Sequence, residues 1–238
     1  MVVAQHRITV MKRLFTFGCS FTSYSWSTWA DILGTQYNEY QNWGQSGAGN
    51  HYIFNSVMEA DQRQRFGSGD TVIVCWTSVN REDRYTDRWQ TLGNIHYTDI
   101  YTEDYKKEIT NRGCLIRDIA FIKATKLLLE NRPGADWKFL CMHDMKTTDL
   151  WKTDPIHDDV YDLYRDTFDC IGPGFRETLF LEQWPDRADP HPTPAEHLLY
   201  LDKVMPGYVT DLNIRATIAH ETAHLTKNRT GMCNQQRL

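Results

Sequence analysis

Three groups of residues in this sequence have the types and spacing that chemistry needs. Near the start, Gly18-Cys19-Ser20-Phe21-Thr22 follows the apolar run Leu14 to Phe17, so a small hydroxyl stands where a strand hands over to the next segment. In open α/β sheets, ligands bind in the crevice at the carboxyl ends of the strands. A serine there either reaches into that crevice or caps the segment that follows. Near the other end, Asp189-Pro190-His191-Pro192-Thr193-Pro194 sets a carboxylate two residues before an imidazole. A serine hydroxyl is a weak nucleophile at neutral pH and needs an imidazole within hydrogen-bond reach, itself oriented by a carboxylate. His191 is the candidate base, and Asp189 or Asp186 the candidate orienting group. The third group, His220-Glu221-Thr222-Ala223-His224, spells HExxH, which on a helix sets two imidazoles one turn apart beside a glutamate, as in zinc-dependent hydrolases. The tail beyond His224 offers no His, Asp or Glu to complete such a site. These residues therefore read as part of a peripheral C-terminal helix, and neither a metal nor another cofactor is expected.

The elements that must position these groups follow from the pattern of apolar runs. Leu14 to Phe17, Thr71 to Trp76 and Lys138 to Met142 read as strands, with a weaker strand around Tyr37 to Asn42. Trp26 to Leu33 reads as a helix ending at Gly34, Asn50 to Arg65 as a second ending at Gly67, and Asp104 to Asn131 as a long third stopped by Pro133-Gly134. Thr193-Pro194-Ala195-Glu196 is a fourth helix start, with Thr as N-cap, Pro in the first turn and Glu closing a capping box. Strands alternating with helices predict an α/β domain with a mainly parallel sheet. Residues 81–103 and 143–175 read as long functional loops.

Composition narrows the function classes. With 41% apolar and 24% charged residues among 238, the chain has the balance of a globular protein, which excludes collagen, coiled coil and wholesale disorder. The length suits one domain over residues 11–206, with 207–238 a C-terminal helical extension rather than a second domain. A net charge of −5 gives no basic field for phosphate backbones, so no nucleic-acid partner is expected. No apolar run approaches the ~18 residues of a membrane helix, so no membrane partner is expected either. The first twenty residues lack the apolar core of a secretory signal, which predicts a protein that is cytoplasmic or carried in a particle. Six cysteines without a CxxC pair read as reduced, mostly buried thiols.

The blocks taken in order resemble a known family. LFTFGCSFT with Ser20, then Asn42-Trp43-Gly44-Gln45-Ser46-Gly47, then Thr77-Ser78-Val79-Asn80-Arg81, then Asp189-Pro190-His191, are similar to the four short blocks of SGNH (GDSL-type) hydrolases, which act on esters and O-acyl glycans. The resemblance spans residues 13 to about 205 and implies a flavodoxin-like three-layer sandwich, with about five parallel strands and helices on both faces. It implies that Ser20 is the nucleophile and His191 the base, with Asp189 or Asp186 behind it. The oxyanion would be held by the N–H of Ser20, the N–H of Gly47 and the side chain of Asn80. The third block lacks the family's Gly and its Asn sits about one residue late, so Ser78 or Arg81 could take that place. The usual Asp-x-x-His is shortened here, because position 188 is Ala. The implied function is removal of O-acyl groups from a glycan or a small ester. The alternative is a catalytically degenerate domain that binds glycan or serves as a structural component, for instance of a phage particle. Trp43, Trp76, Trp89, Trp151 and Trp184 lie near the blocks or in the long loops, where indole faces could stack on sugars.

Overall fold

The computed structural model describes residues 12–145, 157–180 and 189–235. Asp186, Trp151 and Trp184 lie outside the described residues. From the first strand, β1 (Arg13–Phe17), the chain passes through α1 (Trp29–Gly34) to β2 (Glu39–Asn42), then through α2 (Asn50–Gln64) to β3 (Asp70–Trp76). A hairpin, β4 (Arg81–Tyr85) and β5 (Trp89–Asn94), precedes α3 (Glu103–Glu108), α4 (Asn111–Glu130) and β6 (Asp136–Cys141). Then come α5 (His157–Leu163), α6 (Arg165–Phe168), β7 (Ile171–Gly174), α7 (Phe175–Leu179), α8 (Pro194–Val204) and α9 (Leu212–Gln235).

Five strands form one parallel sheet in the order β2-β1-β3-β6-β7, a flavodoxin-like arrangement; β4 and β5 pair only with each other. The crossover from β1 to β2 runs one way along the sheet and those from β2 to β3 and β3 to β6 run the other. Right-handed crossovers then put α1 on one face and α2 and α4 on the opposite one. The packing agrees, with α2 against α4 and α1 against α8. The reversal lies between β1 and β3, where such sheets open a crevice at the carboxyl ends. Central β3 is buried along almost its whole length, and its apolar run Val72 to Trp76 joins Phe15, Phe17 and Phe139 in the core. Such continuous apolar runs are what strands covered on both faces require.

Several boundaries differ from the sequence reading for local reasons. The helix expected from Trp26 starts at Trp29, because the Asp31 carboxylate accepts both the N–H and the hydroxyl of Thr28 and fixes the cap there. The long helix expected over 104–131 is two, α3 and α4, because the Thr110 side chain accepts the Gly113 N–H and begins a new helix. Residues 81–103, expected as a loop, hold the β4–β5 hairpin. Within 143–175, β7 escaped notice because Ile171-Gly172-Pro173-Gly174 has a breaker-rich composition that only an edge strand tolerates. Helix α9 packs on α8. Among the described residues no helix is long and apolar enough to cross a membrane.

Candidate active site

The chain brings Ser20 and His191 together across 171 residues, with Ser20 Oγ 2.9 Å from His191 Nε2. On the far side of the ring, Nδ1 lies 2.7 Å from Asp189 Oδ1. An ionised carboxylate can only accept, so in the neutral form of the ring the proton belongs on Nδ1 and the Nε2 lone pair faces the serine hydroxyl. The shortened Asp-x-His spacing works because the turn folds back on itself: the backbone N–H of His191 also donates to Asp189 Oδ1, at 2.9 Å. The other carboxylate oxygen accepts the Tyr24 hydroxyl at 2.8 Å. Burial would raise the Asp189 carboxyl, but the His191 N–H, the imidazole and the Tyr24 hydroxyl outweigh it and hold the group below the ordinary carboxylate range.

The loop after Ser20 supplies contacts that the sequence reading missed. Tyr24 stacks on the His191 ring, with centroids 3.9 Å apart and planes 21° apart. Trp26 packs edge-on against Tyr24 and donates its indole N–H to Pro192 O at 2.7 Å. Two neighbours on α9 tie both sides down. Glu221 accepts the Ser27 N–H at 2.9 Å, and the Thr222 hydroxyl accepts the Ala195 N–H at 3.0 Å. The α8 start that follows His191 has the expected capping box between Thr193 and Glu196. His197 is fully buried in T-shaped contact with Phe21 and Phe175, and neither ring nitrogen has a partner among the described residues. Burial, followed by the charge of His191, lowers it to about 3, so it packs as a neutral ring.

Gly47 lies in the turn between β2 and α2, with φ +77°, and a Cβ there would come within 2.6 Å of the Thr91 carbonyl. Only glycine suits that backbone and that approach. The turn is tied to the serine segment: the Gln45 N–H donates to Gly18 O, and Asn42 donates to Thr22 O while accepting the Gly44 N–H. The Gly47 N–H has no acceptor among the described residues.

The segment after β3 carries Ser78, Asn80 and Arg81, and all three are buried or half-buried. Asn80 Oδ1 and Arg81 Nε are buried without a partner among the described residues. Arg81 Nη1 donates to Ala48 O at 3.0 Å, beside Gly47, and its Nη2 lies 3.7 Å from Met142 Sδ, which is 4.0 Å from Cys19 Sγ. A buried polar frame holds this segment. The Asn50 amide accepts the Thr77 N–H at 2.8 Å and donates to Thr77 O at 3.1 Å and to Asp118 at 2.7 Å. Arg117 pairs with Asp118 at 2.6 Å and donates to the carbonyls of Val79 and Arg81. Burial pushes the Asp118 carboxyl up to about 6 against the pull of Arg117 and Asn50. Asp83 caps α2 from the hairpin, accepting the N–H groups of Gly49 and Tyr52 at 2.8 Å each. Asn50 follows the Gly47 turn by three residues and could have been noticed at the expected helix start, whereas Asp83, Arg117 and Asp118 gave no local signal.

The remaining sequence candidates fall elsewhere. Of the HExxH residues, His220 and His224 are exposed on α9 while Glu221 is engaged by Ser27. Among the described residues no cluster of three His, Cys, Asp or Glu side chains could hold a metal ion. Trp76 is fully buried in the core and offers no face to a sugar; Trp43 and Trp89 are half-buried. Cys19, Cys75, Cys114 and Cys170 are free thiols. A separate cleft of about 460 Å³, walled by His51, Glu82, Tyr105, Glu108 and Arg117, includes neither Ser20 nor His191.

No family model matches the sequence, and no curated protein matches it significantly. Among solved structures, the chain is similar to a member of the lipolytic G-D-S-L family from Veillonella parvula DSM 2008, at 13% identity and TM-score 0.44 over 84% of this chain and 100% of that one. It is similar to TesA at 15% identity and TM-score 0.48, over 82% and 97%. It is also similar to the psychrotrophic esterase EstA from Pseudoalteromonas sp., at 10% identity and TM-score 0.46, over 81% and 93%.

Proposed function

We propose that this chain is a serine ester hydrolase of the SGNH type, acting on O-acyl groups of a glycan or a small ester. The observation that carries the reading is the chain of contacts from Ser20 through His191 to Asp189. Ser20 Oγ attacks the acyl carbon while His191 Nε2 takes its proton, and Asp189 steadies the imidazolium that results. The negative charge on the carbonyl oxygen falls to the N–H groups of Ser20 and Gly47 and to a side chain of the segment after β3. Asn80 through its Nδ2, Ser78 through its hydroxyl and Arg81 through its guanidinium are the candidates for that last donor. His191 then returns the proton to the departing alcohol, and a water activated by the same ring releases the acyl group from Ser20.

The test is hydrolysis of p-nitrophenyl acetate by the parent and by Ser20→Ala. Loss of a triad member should lower the rate by about 10²-fold or more. Equal rates would overturn the reading and favour a domain that binds without catalysing.

A further inference from the structure

Three successive carbonyls around the proposed oxyanion donor are held by the hairpin and its base. The Thr91 hydroxyl donates to Ser46 O at 2.8 Å, the Gly93 N–H donates to Gly47 O at 3.0 Å, and Arg81 donates to Ala48 O at 3.0 Å. The Ser46 carbonyl and the Gly47 N–H belong to one trans peptide unit. With the carbonyl aimed at β5, the N–H points the opposite way, off the hairpin. Gln45 Nε2 donates to Thr91 Oγ at 3.0 Å, so the single hydroxyl proton is left for Ser46 O. A donor on an amide carbonyl polarises the amide and strengthens its N–H in turn.

We propose that Thr91 is a positioning residue for the oxyanion site: it fixes and polarises the Ser46–Gly47 peptide so that the Gly47 N–H meets the charge developing on the substrate carbonyl oxygen. This rests on the ester-hydrolase reading and extends the working parts to a hairpin outside the main sheet. Gly93 holds the turn whether or not the hydroxyl is present, so what Thr91 adds is direction and polarity at one N–H rather than the fold of the turn.

The experiment measures kcat and KM for p-nitrophenyl acetate and the inhibition constant of phenylboronic acid, whose serine adduct mimics the tetrahedral intermediate. Removing a direct oxyanion donor costs about 10²–10³-fold in kcat, and an indirect one should cost less. Thr91→Val should lower kcat about 10-fold with KM within about twofold, and weaken the boronic acid about 10-fold. Thr91→Ser should stay within about threefold of the parent, because it restores the hydroxyl. Should Thr91→Val fail to fold, Gln45→Met, which frees the hydroxyl to turn away, should lower kcat about threefold. Unchanged kcat in a folded Thr91→Val or Gln45→Met protein, or loss shared equally by Thr91→Ser, overturns the proposal while Ser20→Ala still abolishes activity. A Ser20→Ala protein as active as the parent overturns the hydrolase reading and this proposal together.

Discussion

The two sides of the candidate site are built differently. On the base side, His191 and Asp189 are half-buried and held by aromatic stacking, the Tyr24 hydroxyl and two bonds from α9. On the donor side, the segment after β3 hangs on fully buried polar groups, Asn50 and Asp118, with Arg117 reaching in from the surface. The two carboxylates shift in opposite directions. Asp189 is held low by its donors, while burial raises Asp118 to about 6. A base must exchange protons with substrate and solvent, so it profits from partial exposure. Oxyanion donors work by not reorganising, so a buried frame suits them.

The largest test of that contrast strikes the buried frame. Asp118→Ala leaves the Arg117 charge and the Asn50 amide without their partner, which should cost about 3 kcal/mol of folding stability, seen as a fall in Tm. The loss should be smaller in Asp118→Asn, which keeps an acceptor for Asn50. Because the folded pKa of Asp118 is raised, the stability linked to its protonation is full below the ordinary carboxylate range and fades as pH rises through about 6. Denaturant melts from pH 4 to 7 should therefore slope less in Asp118→Asn than in the parent. An Asp118→Ala protein as stable as its parent would break the picture of a rigid donor side.

A middle-sized effect is expected at Tyr24. Removing its hydroxyl in Tyr24→Phe keeps the ring over His191 but takes one donor from Asp189. The expected loss is about 1 kcal/mol at most, discounted for exposure, or about fivefold in kcat with KM unchanged. Asp189 titrates below its ordinary value, so the stability it contributes is present above that range and lost as pH falls through the folded pKa. The stability gap between parent and Tyr24→Phe should accordingly be present at pH 7 and close in acid. A gap that stays constant with pH would mean that the hydroxyl does not act through Asp189.

The smallest effects are expected on α9. Treatment with a chelator should leave both Tm and ester hydrolysis unchanged, and His220→Ala should match the parent. Glu221→Gln, which keeps an acceptor for the Ser27 N–H, should cost less than about 1 kcal/mol. A chelator-induced loss that zinc reverses would reinstate the HExxH reading and move the chemistry off Ser20.

Legibility followed the same division. Ser20, His191, Asp189 and Gly47 could be picked out because each sits in a short block beside a strand end or a helix start. The central strands and the Thr193 capping box could be read because apolar runs and caps are local signals. What failed was longer-range or compositionally disguised. Strand β7 contains two glycines and a proline and is a strand only because it borders β6. The hairpin looked like loop because Arg81 to Tyr85 is almost wholly polar, and its burial comes from contact with α2 and the Gly47 turn.

The sequence alone determined the kinds of atoms available for chemistry and the elements that carry them, since residue type, periodicity and capping act within a few residues of the chain. Only the tertiary structure decided which acid faces His191, that Tyr24 stands behind that acid, and that Thr91 and Gly93 grip the Gly47 turn from 45 residues away. It also turned Glu221 from a zinc-motif residue into an acceptor for the loop beside Ser20. Hydrogen bonds between distant segments depend on how the crossovers stack the strand ends, and no local pattern encodes that placement.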